Sequence, residues 1–124
     1  MEMDEQIHRR VQRTRELVTS LVESNPLYAD FHPDLRRQTI ENLSAELDDL
    51  VDEEFIYAIS DREGSHLAGL LERLPDDEGG LLEVRRFLYS CVIPHDVITN
   101  EVYARFSREY PGVNGIQVRP GPRA

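Results

Sequence analysis

The sequence predicts an all-α protein, a compact bundle of five to six short helices. Two observations carry this prediction: apolar residues recur at spacings of three and four in successive segments, and Pro and Gly separate those segments. No stretch alternates polar and apolar residues long enough to predict a strand, apart from residues 116–118. A chain of 124 residues fits one domain. We place that domain at residues 1–110 and expect residues 111–124, rich in Pro and Gly, to form a flexible tail open to protease near Arg119.

The first two helices are predicted from their apolar stripes. Residues 4–24 carry one stripe, in which Thr14 fills a missing apolar step, and the helix ends before Pro26. An irregular connection follows, and we expect Tyr28 and Phe31 to pack into the core. The second helix opens after Pro33 and has the clearest helical period, formed by Ile40, Leu43, Leu47, Leu50 and Val51. Its pattern leaves open whether the helix breaks at Asp52 or continues.

Three further helices follow from the same reasoning. Ser65, after Gly64, is the expected N-cap of a Leu-rich helix that ends at Pro75, and residues 76–80 form a turn. Residues 81–92 are apolar over more than half of the helix circumference, which predicts the central, most buried helix. The lone Cys91 there is expected to be a small buried hydrophobic residue. A last helix spans about residues 96–110 and ends before Gly112.

The charge distribution narrows the class of partner. The net charge is −10, all fourteen basic residues are Arg, and the chain lacks Lys. Residues 23–84 hold seventeen acidic residues and four Arg, a field that repels phosphate backbones, so we expect no nucleic-acid partner. The acidic N-terminus and the absence of a long apolar run predict no membrane partner and a cytoplasmic protein.

An acidic stretch and a basic band are the candidate partner-binding residues. The stretch places like charges four residues apart on a helix, which does not favour stability. We expect these carboxylates to point into solvent, so that replacing Asp48, Asp49 and Asp52 by Asn leaves the melting temperature unchanged or slightly raised. The stretch comprises Asp48, Asp49, Asp52, Glu53 and Glu54, and the band on the first helix comprises Arg9, Arg10 and Arg13. The predicted partner is a protein with a basic surface or a second copy of the chain.

A competing hypothesis is a metal-binding helical bundle. Glu-x-x-His occurs twice, at Glu5 and His8 and at Glu63 and His66, and two such motifs on facing helices can hold two metal ions. A helix start at Gly64 would split the second pair. The favoured interpretation therefore has no metal, no cofactor and no catalytic residue: a non-catalytic adaptor, inhibitor or assembly component.

A resemblance suggests one form of adaptor. Residues 55–114 form a run of short Leu-rich helices, with Leu67, Leu70, Leu71 and Leu74 before Pro75 and the sequence Arg-Glu-Tyr-Pro-Gly at residues 108–112. This region resembles the small death-fold-type adaptor domains of bacterial conflict systems. The resemblance implies a helical domain that recruits effector proteins.

Overall fold

A computed structural model of the chain describes residues 2–109, and these form five α-helices without a strand. The all-α prediction is confirmed. The expected flexible tail, the strand considered at residues 116–118 and the protease site at Arg119 lie outside the described residues. The elements in chain order are α1 (Met3–Ser24), a 3₁₀ turn η1 (Pro26–Tyr28), α2 (Pro33–Ala58), α3 (Asp61–Arg73), α4 (Glu78–Ser90) and α5 (His95–Glu109).

Helix α1 buries the predicted stripe, including Ile7, Thr14 and Val18. Asn25 ends this helix and starts η1, because its side-chain oxygen accepts a 3.0 Å hydrogen bond from the Leu27 N–H. Tyr28 is half-buried against the core, as predicted. Phe31 is half-buried and packs edge-on against the Tyr28 ring, with 5.1 Å between ring centroids.

Helix α2 is the central helix of the bundle. It runs without a break past Asp52 and packs against α1, α4 and α5, with Leu47, Val51 and Phe55 fully buried. The prediction that the fourth helix is the most buried is wrong, because α4 buries only Gly80, Arg85 and Leu88. The apolar face of α4 is wider than its buried part because Leu81 and Val84 line a surface groove.

Helix α3 begins earlier than predicted. Its N-cap is Ser60, whose hydroxyl accepts from the Glu63 N–H at 3.2 Å while the Glu63 carboxylate accepts from the Ser60 N–H at 3.1 Å. This reciprocal capping box satisfies two backbone donors that a helix start otherwise leaves unpaired. The predicted N-cap Ser65 is therefore wrong, and Gly64 and Ser65 lie inside α3.

Helix α4 begins within the predicted turn. Asp77 caps it by accepting a 3.0 Å hydrogen bond from the Gly80 N–H. A Cβ at position 80 would lie 2.0 Å from the Pro75 carbonyl oxygen, so only glycine fits this tight entry. After α4, Cys91 is 5% exposed, which confirms its predicted burial. Helix α5 packs on α2 and buries Val102, Tyr103 and Phe106, and its Tyr103 hydroxyl contacts Thr14 of α1.

Candidate functional site

Two carboxylates of the predicted acidic stretch belong to a buried charge network. Asp52 is 7% exposed and receives hydrogen bonds from two guanidinium groups, Arg10 on α1 at 2.8 Å and Arg85 on α4 at 2.9 Å. The two bonds use both carboxylate oxygens. Arg10, 3% exposed, also lies over the rings of Phe55 and Tyr89, 5.9 Å from each centroid. Asp52 therefore joins three helices through charge-assisted hydrogen bonds.

Asp48 belongs to the same network and lies one helical turn before Asp52 on α2. Its Oδ1 atom accepts from the Thr14 hydroxyl at 2.7 Å and lies 3.4 Å from Arg10 Nη2. The Tyr103 hydroxyl lies 2.7 Å from the same Thr14 oxygen and donates to the Arg10 carbonyl oxygen at 3.1 Å. Burial raises the pKa of the Asp48 carboxyl, and the nearby Arg10 charge offsets only part of that effect.

The expectation that Asp48 and Asp52 point into solvent is wrong. Both lie beside the buried stripe of α2, where α1 and α4 supply Arg10 and Arg85 as partners. Arg10 is equally inaccessible, so it is not part of an exposed basic band. These three residues hold the bundle together and do not present a docking surface.

The remaining acidic residues of the stretch divide between two faces of α2. Asp49 and Glu53 are exposed one turn apart. Glu54 is half-buried and lies 3.7 Å from Arg105 of α5. The predicted patch is therefore reduced to Asp49 and Glu53, and both line a groove.

This groove, of about 450 Å³, lies between α2, α3 and α4. Three large apolar side chains in its walls are substantially exposed: Ile56 at 38%, Leu71 at 54% and Leu81 at 40%. Leu74, Pro75 and Val84 extend the apolar lining. Clustered exposed apolar side chains are typical of sites that bind another molecule.

The rim of the groove is acidic. The exposed carboxylates in its lining are Asp49, Glu53, Asp76 and Asp77. The lining contains no Arg and no His, and within residues 2–109 no ion pair involves Asp49, Glu53 or Asp76. The Arg10 and Arg85 charges are neutralised by Asp48 and Asp52, so they do not offset the rim. We call this feature, with its apolar lining, the acidic groove.

Sequence reasoning missed most of the acidic groove, although a signal was present. Helix α3 has an apolar stripe of Leu67, Leu70 and Leu71, yet only Leu67 is fully buried. When the neighbouring helices cannot cover the whole width of an apolar stripe, the uncovered part is available for another contact. The placement of Asp76 and Asp77 beside Asp49 depends on the tertiary fold, and no spacing in the sequence predicts it.

The exposed members of the basic band line a second cavity. Arg9 and Arg13 of α1 face a cleft of about 530 Å³ whose other wall contains residues 93–97, at the start of α5. Arg13 donates a 2.9 Å hydrogen bond to Asn100 and lies over the Tyr103 ring, 5.2 Å from its centroid. The acidic groove and the Arg-lined cleft are therefore separate sites of opposite charge.

The structure does not bring the two Glu-x-x-His pairs together. Within residues 2–109 no three His, Cys, Asp or Glu side chains converge as metal ligands. Glu5 and His8 are exposed on α1. Both members of the second pair lie on α3, where the Glu63 carboxylate serves the capping box and the His66 ring stacks on Phe87 at 5.0 Å.

No known protein family, curated protein or solved structure matches this chain. The resemblance to adaptor domains of bacterial conflict systems therefore stays a prediction. Within residues 2–109, every helix is too short or too polar to cross a membrane.

Proposed function

We propose that this protein is a non-catalytic interaction module that binds a basic, amphipathic segment of another protein in the acidic groove. The observation that carries the proposal is the combination in one groove of exposed Ile56, Leu71 and Leu81 with four exposed carboxylates and no cation. Apolar anchors supply affinity by leaving water. The carboxylates supply orientation and speed of encounter.

The shape of the groove favours a helical occupant. Its walls come from three helices, and an amphipathic helix can lay one apolar face between them with anchors spaced by three or four residues. Arg or Lys residues flanking those anchors would reach Asp49 and Glu53 on one side and Asp76 and Asp77 on the other. The proposed partner therefore combines Leu-type anchors with flanking positive charges.

A designed peptide tests the proposal directly. The probe is a fluorescent helical peptide with Leu at positions spaced by three and four and Arg on the flanks, and its affinity is measured by anisotropy at low salt. One control peptide carries Glu in place of Arg, and a second has the Leu positions scrambled. We expect the probe to bind and both controls to bind at least about tenfold more weakly.

Variants of the protein locate the contact. Leu71→Asn removes an exposed anchor, and its control is Leu35→Asn, a change at a half-exposed Leu outside the groove. The double variant Asp49→Asn/Glu53→Gln removes two negative charges from the rim. Its control, Glu23→Gln/Glu46→Gln, removes two negative charges outside the groove. We expect only the groove variants to weaken binding, and the effect of the rim variant to shrink as salt rises.

Two results would overturn the proposal. One is equal affinity for the Arg and Glu peptides, because the rim would then confer no selectivity. The other is a chain that dimerises in sedimentation experiments and becomes monomeric in Leu71→Asn. That result would assign the groove to a second copy of the same chain.

A further inference from the structure

The cleft between α1 and α5 is a second cavity whose charge is opposite to that of the protein as a whole. Its lining includes Arg9 and Arg13, and Asp96 is the one acidic residue among the described residues that form it. Arg10 also reaches the cleft, but Asp48 and Asp52 neutralise its charge. The cleft therefore carries a net positive charge in a chain whose net charge is −10.

Neither Arg9 nor Arg13 forms an ion pair within residues 2–109, although acidic residues outnumber basic ones in the chain. Arg13 is held in place by Asn100 and by the Tyr103 ring, and this arrangement reduces the side-chain entropy lost when its guanidinium binds a ligand. An Arg that is positioned without a carboxylate partner is available for an oxyanion.

The opposite wall is partly apolar, and the His95 ring in it is packed between neighbouring groups. The His95 ring stacks on Tyr89 at 4.8 Å, packs edge-on against Phe55 at 5.0 Å, and places Nε2 2.8 Å from the Leu88 carbonyl oxygen. Because a carbonyl only accepts, Nε2 carries the proton. Ile93, Pro94 and the 56% exposed Val97 complete this wall.

From this geometry we propose that the cleft binds a small molecule that carries a carboxylate or phosphate group beside an apolar body. Arg9 and Arg13 would hold the oxyanion, and Val97 with its neighbours would contact the apolar part. A cavity of about 530 Å³ lies within the range of about 300–1,000 Å³ typical of small-molecule sites. The proposed ligand site does not depend on the acidic groove.

Calorimetric titration of the full chain tests this site with four probes. Phenyl phosphate and benzoate carry both features, inorganic phosphate lacks the apolar body, and benzamide lacks the charge. We expect saturable one-to-one binding of phenyl phosphate or benzoate, at least about tenfold tighter than that of inorganic phosphate and benzamide. The stronger of the first two probes identifies the oxyanion.

Variants separate the cleft from general electrostatic attraction. Arg9→Gln and Arg13→Gln should each weaken binding about tenfold, because each removes charge-assisted hydrogen bonds. Arg15 lies on the same helix but outside the cleft, so Arg15→Gln should leave the affinity unchanged. Backbone amide shifts at Val97 and Thr99 during titration should report the contact. No saturable binding, inorganic phosphate as tight as phenyl phosphate, or undiminished affinity in Arg9→Gln/Arg13→Gln would overturn the proposal.

Discussion

Arg10 and Asp52 lie 42 residues apart in the sequence and form a 2.8 Å ion pair in which both side chains are almost completely buried. The pair joins α1 to α2, and Arg85 joins α4 to the second oxygen of the same carboxylate. Removing one member of such a network leaves a charge in the interior without its partner, which costs more than the pair itself contributes.

Asp52→Asn is accordingly expected to destabilise the fold by about 3 kcal/mol. The amide can accept from one Arg through its oxygen, but its NH₂ group then faces the donor of the other. The control is Asp49→Asn, an exposed carboxylate on the same helix, which should change the free energy of unfolding by less than about 0.5 kcal/mol. Chemical denaturation of the two variants measures the difference. Equal stability of the two would show that the buried network does not support the fold.

The pH dependence at Asp48 follows from its raised pKa. Burial makes the folded state hold the Asp48 proton more tightly than the unfolded state, whose carboxyl has an ordinary pKa of 3.8. Its favourable contribution is therefore complete below that pH and is lost as the pH rises through the raised folded pKa. The stability of the wild-type protein relative to Asp48→Asn should fall over this range, as measured by urea unfolding at successive pH values.

Asp4 supplies the opposite pH dependence. The Arg86 hydrogen bond lowers the pKa of the exposed Asp4 carboxyl, so its contribution is present above pH 3.8 and is lost as the pH falls through the lowered folded pKa. We expect the wild-type protein to lose stability relative to Asp4→Asn on acidification below that value. The same series of urea unfolding curves, extended to lower pH, checks this. If the wild-type protein gained stability relative to Asp4→Asn on acidification, the pKa of Asp4 would be raised by folding, contrary to the prediction.

The start of α3 is tested by two serines. Ser60→Ala removes the N-cap hydroxyl and should cost about 1 kcal/mol of unfolding free energy. Ser65→Ala alters an exposed position inside the same helix, where Ala has the higher helix propensity, so this change should be neutral or slightly stabilising. Thermal melts of both variants decide the point. The reverse order would place the cap at Ser65.

Two glycines give a matched test of the entry to α4. Gly80→Ala would place a Cβ against the Pro75 carbonyl oxygen and should destabilise the fold by about 2 kcal/mol. At Gly64, inside α3, a Cβ would have no neighbour within 4 Å. Gly64→Ala should therefore stabilise the protein by about 0.5–1 kcal/mol. A stabilising Gly80→Ala would mean that the turn from Pro75 to α4 opens at little cost.

Local sequence patterns predicted the helices well, because the period of apolar residues is a property of each segment alone. Pro33 and Pro75 also indicated correctly where segments are separated. The predicted start of α3 is wrong because Gly64 indicates a break that the helix does not have. The capping pair formed by Ser60 and Glu63 is equally readable in the sequence, since a Ser followed three residues later by Glu is a known N-terminal signal.

The candidate site was much less predictable. Asp48 and Asp49 are neighbours in the sequence, yet one is buried and the other exposed. Their difference depends on which face of α2 meets Arg10, and that contact joins segments far apart in the chain. The acidic groove likewise combines side chains from three helices, so its composition could not be deduced before the packing of those helices was known.

The buried network also restricts how the helices can slide past one another. Apolar side chains on α1 and α2 could stay in contact after a shift of one helical turn, because such contacts have little directionality. The same shift would separate Arg10 from at least one of its carboxylates and leave a desolvated charge unmatched. The network thus selects a single alignment of α1 on α2, much as a buried polar residue fixes the register of a coiled coil.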